Sequence, residues 1–259
     1  MADLLLLSEA QMRRIEPYFP LSHGIARVDD RRVISGIVFV IRNGLRWRDA
    51  PPGYGPHKTI YNRFVRWSRL GVFNNIFAEL ARKGGKPSLL MIDATHLKAD
   101  DRCDASKGAS HRHQPFKKGP VPRCIGRTKG GLNSKLHAVC DGQGRPVIML
   151  LSEGQMSDYK GAALMIDALP PGKQLLGDKG YDANWFRQAL AARGITACIP
   201  SKASRAKPIE HDRMLYRQRH KIENAFGRLK DWRRIHTRYD RCSHTFMFAI
   251  CIAAAGSDQ

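Results

Sequence analysis

Two aspartates in this 259-residue chain stand where buried strands are expected to end. Asp93 follows the apolar run SLLMI, and Asp178 lies in LLGDKGYD, so each is predicted at the carboxyl end of a short strand. Functional groups gather at strand ends in open α/β sheets. Two converging carboxylates repel each other unless a cation lies between them, and oxygen ligands suit Mg²⁺ or Mn²⁺. The pair is therefore a candidate metal site; the alternative is that each aspartate caps the next turn.

A third acid, Glu223, lies in the basic segment YRQRHKIENAFGRLK, within a helix predicted from residue 213 to about 237. At about 100° per residue, Tyr216, Arg219, Glu223 and Lys230 share a stripe about 60° wide. A different side carries the apolar residues that can pack on a sheet, namely Ile222, Ala225, Phe226 and Leu229. Glu223 then becomes a candidate third metal ligand, with Arg219 and Lys230 beside it to hold phosphates. A solvated helix carrying an ordinary Glu–Arg ion pair is the alternative.

The charge of the chain points to a polyanionic partner. Its 44 Lys and Arg residues against 23 acids leave a formal net charge of +21. The excess is spread along the chain, with 15 bases and 7 acids in residues 1–86 and 13 bases and 5 acids in residues 202–241. Such a distribution favours a folded surface that follows nucleic acid; an anionic membrane surface is the second interpretation.

The elements that must position the acids fall into two parts. Residues 1–86 have helical spacing, with a helix start at Ser8, a helix end at Gly44 and a break at Gly71. We interpret this part as a small helical domain, either DNA-binding or a plain helical bundle. Residues 87–259 alternate strands and helices, which indicates an α/β domain with a largely buried sheet. Within it we predict a basic loop at about residues 100–130, a hairpin over LNSKLHAVCDGQGRPVIMLLSE and a final buried helix.

At this point the sequence resembles a known family, the DDE transposases of bacterial insertion sequences, in their IS-five-like branch. Asp93, Asp178 and Glu223 look like the catalytic triad, and the helix carries the Y-x2-R-x3-E-x6-K signature at every position. The segments GRTKGGLNSKLHAVCD and GDKGYDA are also similar to that branch. The resemblance implies an RNase H-like catalytic core, preceded by the helical domain, and two divalent ions, Mg²⁺ or Mn²⁺, at the triad.

The resemblance also implies an activity on double-stranded DNA. The enzyme is expected to bind terminal inverted repeats, cut by metal-dependent hydrolysis and join the 3′ ends to target DNA, working as a homodimer on DNA. Arg219 and Lys230 are predicted to position DNA, and Tyr216 to stack near the terminal nucleotide or pack in the protein. The further predicted DNA contacts are Lys135, Lys179 and Arg228. An inactive or domesticated DNA-binding descendant and a two-metal nuclease without strand transfer are the alternatives.

Localisation and a second metal site complete the expectations. The leading MADLLLLSEAQMRR lacks signal-peptide character, no apolar run approaches a membrane span, and the six cysteines form no CxxC pair. We therefore expect a bacterial cytoplasmic, nucleoid-associated protein with reduced thiols. Cys103, His111, His113 and Cys124 have a spacing that fits none of the usual zinc patterns, so zinc is not expected.

Overall fold

The computed structural model describes residues 4–20, 29–103 and 123–256. Helices occupy the chain up to Lys83, and strands begin after residue 88, as the sequence predicts. In chain order they are α1 Glu9–Ile15, α2 Asp30–Asn43, α3 His57–Arg69, α4 Val72–Lys83, β1 Leu89–Ala99, β2 Gly126–Thr128, β3 Gly131–Asp141, β4 Pro146–Glu153, α5 Asp158–Met165, β5 Gln174–Leu176, α6 Asn184–Ala192, β6 Thr196–Cys198, α7 Arg213–Tyr216, α8 His220–Lys230, α9 Arg233–His236, β7 Thr237–Arg238 and α10 Ser243–Gly256.

Local signals explain where the first helices begin and end. Ser8 and Gln11 form a capping box at the start of α1, in which each side chain bonds the other residue's backbone amide. Helix α2 ends at Gly44, whose φ of 68° is the left-handed conformation that glycine adopts without strain. Gly71, with φ of 65°, separates α3 from α4. The predicted helix start and both predicted glycine breaks are confirmed.

One compact unit contains, among the described residues, 4–20, 29–77 and 229–256. Its core includes Phe248 of α10, whose ring meets the edges of Phe64 and Phe73 at centroid distances of 5.4 and 5.2 Å. Phe19 stacks on Trp67 at 4.5 Å. Helix α10 is apolar on all sides and buries nine residues, which confirms the predicted final buried helix. The domain boundary predicted from the sequence, between residues 86 and 87, stays a proposal.

The second compact unit contains the described residues 78–103 and 123–228 and is built on a mixed sheet. Strand β1 pairs antiparallel with β3 and parallel with β5, and β5 pairs parallel with β6. On its other side β3 pairs antiparallel with β2 and β4. The order β4-β3-β1-β5-β6 therefore has three antiparallel strands followed by two parallel ones. This mixed sheet confirms the predicted α/β class with an RNase H-like core.

One face of this sheet is covered by α5 and α6. Leu90 and Ile92 of β1 pack there against Met165 of α5 and against Phe186 and Leu190 of α6. Because successive side chains of a strand point to opposite faces, Asp93 lies on the other face. The predicted hairpin is confirmed: β3 and β4 are joined by a turn in which Asp141 accepts bonds from the amides of residues 143 and 145.

Two sequence-based predictions about the sheet are corrected by the structure. Asp93 is the fifth residue of an 11-residue strand and not its end, because β3 pairs with β1 from Leu90 to Lys98. Residues 126–128, predicted as loop, form β2 because they pair with the start of β3. Residues 104–122 of that predicted loop lie outside the described part of the chain. Among the described helices, none is long and apolar enough to cross a membrane.

The predicted continuous helix from residue 213 to about 237 is also wrong. A 3-10 turn over residues 217–219 separates α7 from α8, and α9 begins after Trp232 adopts an extended backbone conformation. Gly256 of α10 lies so close to the Trp232 ring that a Cβ there would meet it at 3.1 Å. Packing of the indole and the tighter 3-10 geometry thus override a helical pattern that looked uninterrupted.

Candidate active site

The pairing of β1 and β5 brings the two aspartates side by side. Met91 is opposite Leu176 in this parallel register, and β5 ends at Leu176. Extending the register by two residues places Asp93 opposite Asp178. Asp93 is thus at the point where its neighbouring strand stops, although its own strand continues. Asp178 therefore follows the carboxyl end of its strand, β5, as the sequence predicts, whereas Asp93 lies within β1.

Asp178 has a structural role in addition to this placement. Its Oδ1 accepts a hydrogen bond from the amide of Gly180 at 2.7 Å and caps the 3-10 turn Lys179–Tyr181. The turn-capping alternative considered from the sequence is therefore realised for this residue. Capping also fixes the direction of the carboxylate, because the turn holds one oxygen toward its own backbone. Capping and a functional role are compatible.

Helix α8 supplies the third acid. Its apolar side is buried, as predicted from the spacing of Ile222, Ala225, Phe226 and Leu229. Glu223 is on the open side, with 55% of its side chain exposed. Burial of one side of the helix thus leaves the carboxylate of Glu223 directed away from the core.

Arg219 connects two of the acids. One of its terminal nitrogens donates to Oδ2 of Asp93 at 2.7 Å, and the other donates to Oε1 of Glu223. The Arg219 and Asp93 side chains are only 18% and 19% exposed, so this bond is shielded from solvent. The Glu–Arg ion pair expected for a solvated helix is present, but the same guanidinium also reaches a strand residue 126 positions away. Asp93 and Glu223 therefore lie on either side of one cation.

The pKa of Asp93 reflects burial and the charged groups around it. Burial raises the pKa of Asp93, the backbone bond from Ala94 and the Arg219 charge lower it, and the negative charge of Asp178 raises it further. Burial acts to lower the pKa of Arg219, but Asp93, Tyr216 and Glu223 outweigh it and raise the pKa. A carboxylate that is buried beside another carboxylate is stabilised in its charged form by an added cation.

The predicted DNA contacts differ in how they are placed. Lys179 and Arg228 are exposed, and Arg228 donates to the carbonyl of Gly144 at 3.1 Å. Lys135 is buried and ion-paired to Asp158 at 2.7 Å. A DNA contact by Lys135 stays a prediction, and its ammonium is held inside the protein by that pair.

Tyr216 and Lys230 complete the signature on either side of Arg219 and Glu223. Tyr216 is half-buried, and its ring meets His211 edge-on at 5.4 Å. Burial raises the pKa of Tyr216. Lys230 is half-buried at the end of α8, and burial lowers its pKa. The 3-10 turn after Tyr216 changes the angle between it and Glu223, so the narrow stripe expected from ideal helical pitch is distorted at its first member.

Tyr181 belongs to this neighbourhood and was missed from the sequence. It is fully buried, and its hydroxyl has no hydrogen-bond partner among the described residues. Burial raises its pKa, and the charges of Asp158, Asp93 and Asp178 raise it further. Its place in GDKGYDA, three residues after Asp178, was the signal that could have found it.

The loop that follows Asp178 is anchored by Asp182. Arg187 and Arg205 donate to its carboxylate at 2.8 to 2.9 Å, and the amide of Lys202 donates at 2.9 Å. Burial opposes ionisation of Asp182, but these bonds outweigh burial and hold its pKa at about 2. The network ties the turn carrying Asp178 to the segment after β6.

The acids fit a divalent cation by donor type. They offer carboxylate oxygens, with one buried aspartate whose charge is destabilised by its neighbour. In the described part of the chain, no three His, Cys, Asp or Glu side chains are close enough together to form a metal site as they stand. The guanidinium of Arg219 lies between Asp93 and Glu223, and this arrangement separates the donors. His111 and His113 lie outside the described residues.

Comparisons with known proteins identify the family of the chain. Residues 7–77 match the family model described as "Putative transposase of IS4/5 family", and residues 84–255 match "Transposase DDE domain". The chain is 32% identical over 125 residues to the "Putative transposase for insertion sequence element IS6501" of Brucella ovis, covering 48% of this chain and 96% of that protein. It is 32% identical over 136 residues to the corresponding IS402 protein of Burkholderia cepacia, covering 48% and 60%.

Among solved structures, the piggyBac transposase synaptic complex with hairpin DNA aligns with a TM-score of 0.47 at 10% identity, over 93% of this chain and 68% of that one. The family assignment rests on the sequence matches. Because the DDE domain model spans well over half of the residues, the chain belongs to the DDE transposases of bacterial insertion sequences.

Proposed function

We propose that the chain cuts DNA at the terminal inverted repeats of its element and joins the freed 3′ ends to target DNA. The observation that carries this proposal is the adjacency of Asp93 and Asp178, with Glu223 joined to Asp93 through Arg219. The reaction is in-line displacement at phosphorus. Water first attacks the phosphorus at the end of the element and displaces the 3′ oxygen, and the freed 3′-hydroxyl then attacks a target phosphorus and displaces the target's 3′ oxygen. No covalent enzyme intermediate is needed.

The catalytic acids are Asp93, Asp178 and Glu223. Two divalent ions, Mg²⁺ or Mn²⁺, would be held by these three carboxylates and would supply nucleophile activation and stabilisation of the leaving oxygen. Asp178 is held in direction by its bond to the Gly180 amide, which limits how far its carboxylate must move.

The cationic side chains around the acids would position the DNA backbone. Arg219 is suited to this task because a guanidinium that leaves Asp93 and Glu223 can form two parallel bonds to a phosphate. Lys179 is exposed next to Asp178, and Lys230 lies two turns beyond Glu223 on the same helix. We propose that the protein acts as a homodimer on DNA, in the bacterial cytoplasm at the nucleoid.

The test uses full-length protein and labelled duplex oligonucleotides that carry the element's ends, with Mg²⁺ or Mn²⁺. Wild type is expected to nick at the ends and to join the cut strand to a second duplex. Glu223→Gln is expected to bind DNA as wild type does and to lose at least about a hundredfold in nicking rate. A reduction of that size corresponds to about 2.7 kcal/mol of lost transition-state stabilisation. Glu153→Gln, an exposed acid at the end of β4, is the matched control and should cut normally.

Each outcome separates one alternative. Equal cutting by wild type and Glu223→Gln contradicts the site assignment. Nicking without joining identifies a nuclease. DNA binding without metal-dependent nicking identifies a non-catalytic descendant.

A further inference from the structure

The first compact unit contains a cleft of about 820 Å³ that the catalytic acids do not use. One wall is the exposed side of α3, which carries Lys58, Tyr61 and Arg69. The opposite wall is the segment that leads into α10, including His244. Residues that line the cleft all belong to this unit.

The cleft is strongly cationic. Six of its lining residues are basic, namely Arg46, Arg48, Lys58, Arg69, Arg234 and Arg241. Asp240 is the acidic residue among the described lining residues, and Arg234 donates to both of its carboxylate oxygens at 3.1 and 3.2 Å. Arg46 is held by Asp49 at 2.6 Å. The remaining positive charge, exposed at Lys58 and Arg69, suits a phosphate backbone.

An aromatic platform lies inside this charged rim. Tyr61 is 44% exposed, so part of its ring is open to solvent. Its ring is tilted by 52° to that of Trp47 at a centroid distance of 5.6 Å, and Trp47 in turn packs on Phe64 at 4.6 Å. The Arg234 guanidinium lies 5.1 Å from the Trp47 ring. Trp47 is thus fixed from two sides, and Tyr61 extends the platform toward solvent.

His244 adds an unused hydrogen-bonding group. Its Nε2 is inaccessible to solvent and has no hydrogen-bond partner among the described residues. Burial and the nearby charge of Arg69 lower the pKa of His244, which favours the neutral form of the ring. Because its Nε2 is closed to solvent, the imidazole would have to turn before it could bond a base edge or a sugar.

We propose that this cleft binds an unpaired DNA nucleotide, with its base stacked on Tyr61 beside Trp47 and its flanking phosphates at Lys58 and Arg69. Cationic grooves with stacking aromatics are the general solution for single strands, because every base has a π-face. Duplex DNA hides those faces and would engage the cations alone. The proposal rests on the proposed function for its choice of DNA as the polyanion. It adds a second DNA site, distinct from the acids.

The test measures binding of the full chain without divalent metal, by fluorescence anisotropy, to labelled oligothymidylate and to a hairpin duplex. Tyr61→Ala is expected to weaken oligothymidylate binding about tenfold, equivalent to about 1.4 kcal/mol, and to leave duplex binding unchanged. Tyr61→Phe retains the ring and should bind as wild type does. Trp185→Ala removes another exposed aromatic, outside the cleft, and is the matched control.

A second pair of variants tests the phosphate contacts. Lys58→Gln combined with Arg69→Gln is expected to make the negative slope of log affinity against log salt for oligothymidylate shallower by about 1.4, since each phosphate contact contributes about 0.7. Lys160→Gln combined with Lys173→Gln removes the same charge from exposed positions elsewhere. This control should change the slope little.

Two results would overturn the proposal. One is unchanged oligothymidylate binding in Tyr61→Ala. The other is an equal loss on duplex and single strand, which would make the cleft a duplex-backbone contact. Since neither measurement needs metal or cleavage, a failure of the nicking assay leaves both interpretable, and a failure here leaves catalysis at the acids untouched.

Discussion

Arg219 should compete with divalent metal for the catalytic acids, and Arg219→Gln tests this directly. The guanidinium bonds Asp93 and Glu223 at once, so neither carboxylate can turn fully toward a metal while it remains. Glutamine keeps a planar polar end group, is shorter than arginine and lacks the charge. We expect the variant to be less stable than wild type without metal and to gain more stability from added metal.

The magnitude follows from the exposure of the two bonds. The Arg219–Asp93 bond is shielded, and a hydrogen bond between charged groups contributes about 1.5–3 kcal/mol. The bond to Glu223 is to a side chain that is 55% exposed, so its contribution is small. A loss of about 2 kcal/mol in the free energy of unfolding corresponds to a fall of about 4–8 °C in the melting temperature. If the guanidinium must leave before metal binds, its removal raises metal affinity by about 30-fold.

The assay is thermal unfolding in chelator and across a series of Mn²⁺ concentrations. Ligand that binds the native state alone raises its stability with the logarithm of one plus the ratio of ligand concentration to Kd, so a tighter site shows a larger shift at equal Mn²⁺. Arg217→Gln, an exposed arginine in the adjacent turn, is the control and should behave as wild type. The reasoning is refuted if Arg219→Gln unfolds at the wild-type temperature in chelator and responds to Mn²⁺ no more strongly than wild type.

Other substitutions test the scaffold, each by chemical or thermal unfolding. Asp182→Asn should lower the free energy of unfolding by about 3 kcal/mol, because it leaves the shielded Arg187 without a counter-charge. Because the Asp182 pKa of about 2 is below its ordinary 3.8, the wild-type advantage is complete above about pH 4 and is lost toward pH 2; a constant difference would contradict this. Gly36→Ala should destabilise by about 1–3 kcal/mol, because a Cβ there meets Tyr54 at 2.8 Å. Gly227→Ala, where a Cβ meets no described atom within 4 Å, should instead stabilise α8 by about 0.5–1 kcal/mol, and any loss would count against the open space seen there.

Most of the fold could be predicted because its signals are local. Apolar spacing found the helices before residue 86, and glycines marked the ends at Gly44 and Gly71. The sheet strands after residue 88 were recognisable as apolar runs. Errors arose where pairing or packing decides the boundary, as in β1, whose length is set by β3, and in the helix interrupted before Trp232.

The candidate site divides in the same way. The types and spacing of Asp93, Asp178 and Glu223 were sufficient to propose a metal site, because the signature is carried by residues whose chemistry is specific. The alternative of an ordinary Glu–Arg helix pair could not be separated from it, since an arginine four residues before a glutamate suits both. The structure has Arg219 make that pair and also reach Asp93.

Sequence alone thus determined which acids are present, which helix side is apolar and that the surface is cationic. Tertiary structure alone decided that Arg219 lies between Asp93 and Glu223, that Lys135 is paired with Asp158 inside the protein, and that Tyr61 and Trp47 share a basic cleft. The physical reason is the distance along the chain over which each interaction acts. Capping and periodicity act over a few neighbours, whereas a charge pairs with whatever the fold brings within a few ångströms, however far away it is in the chain.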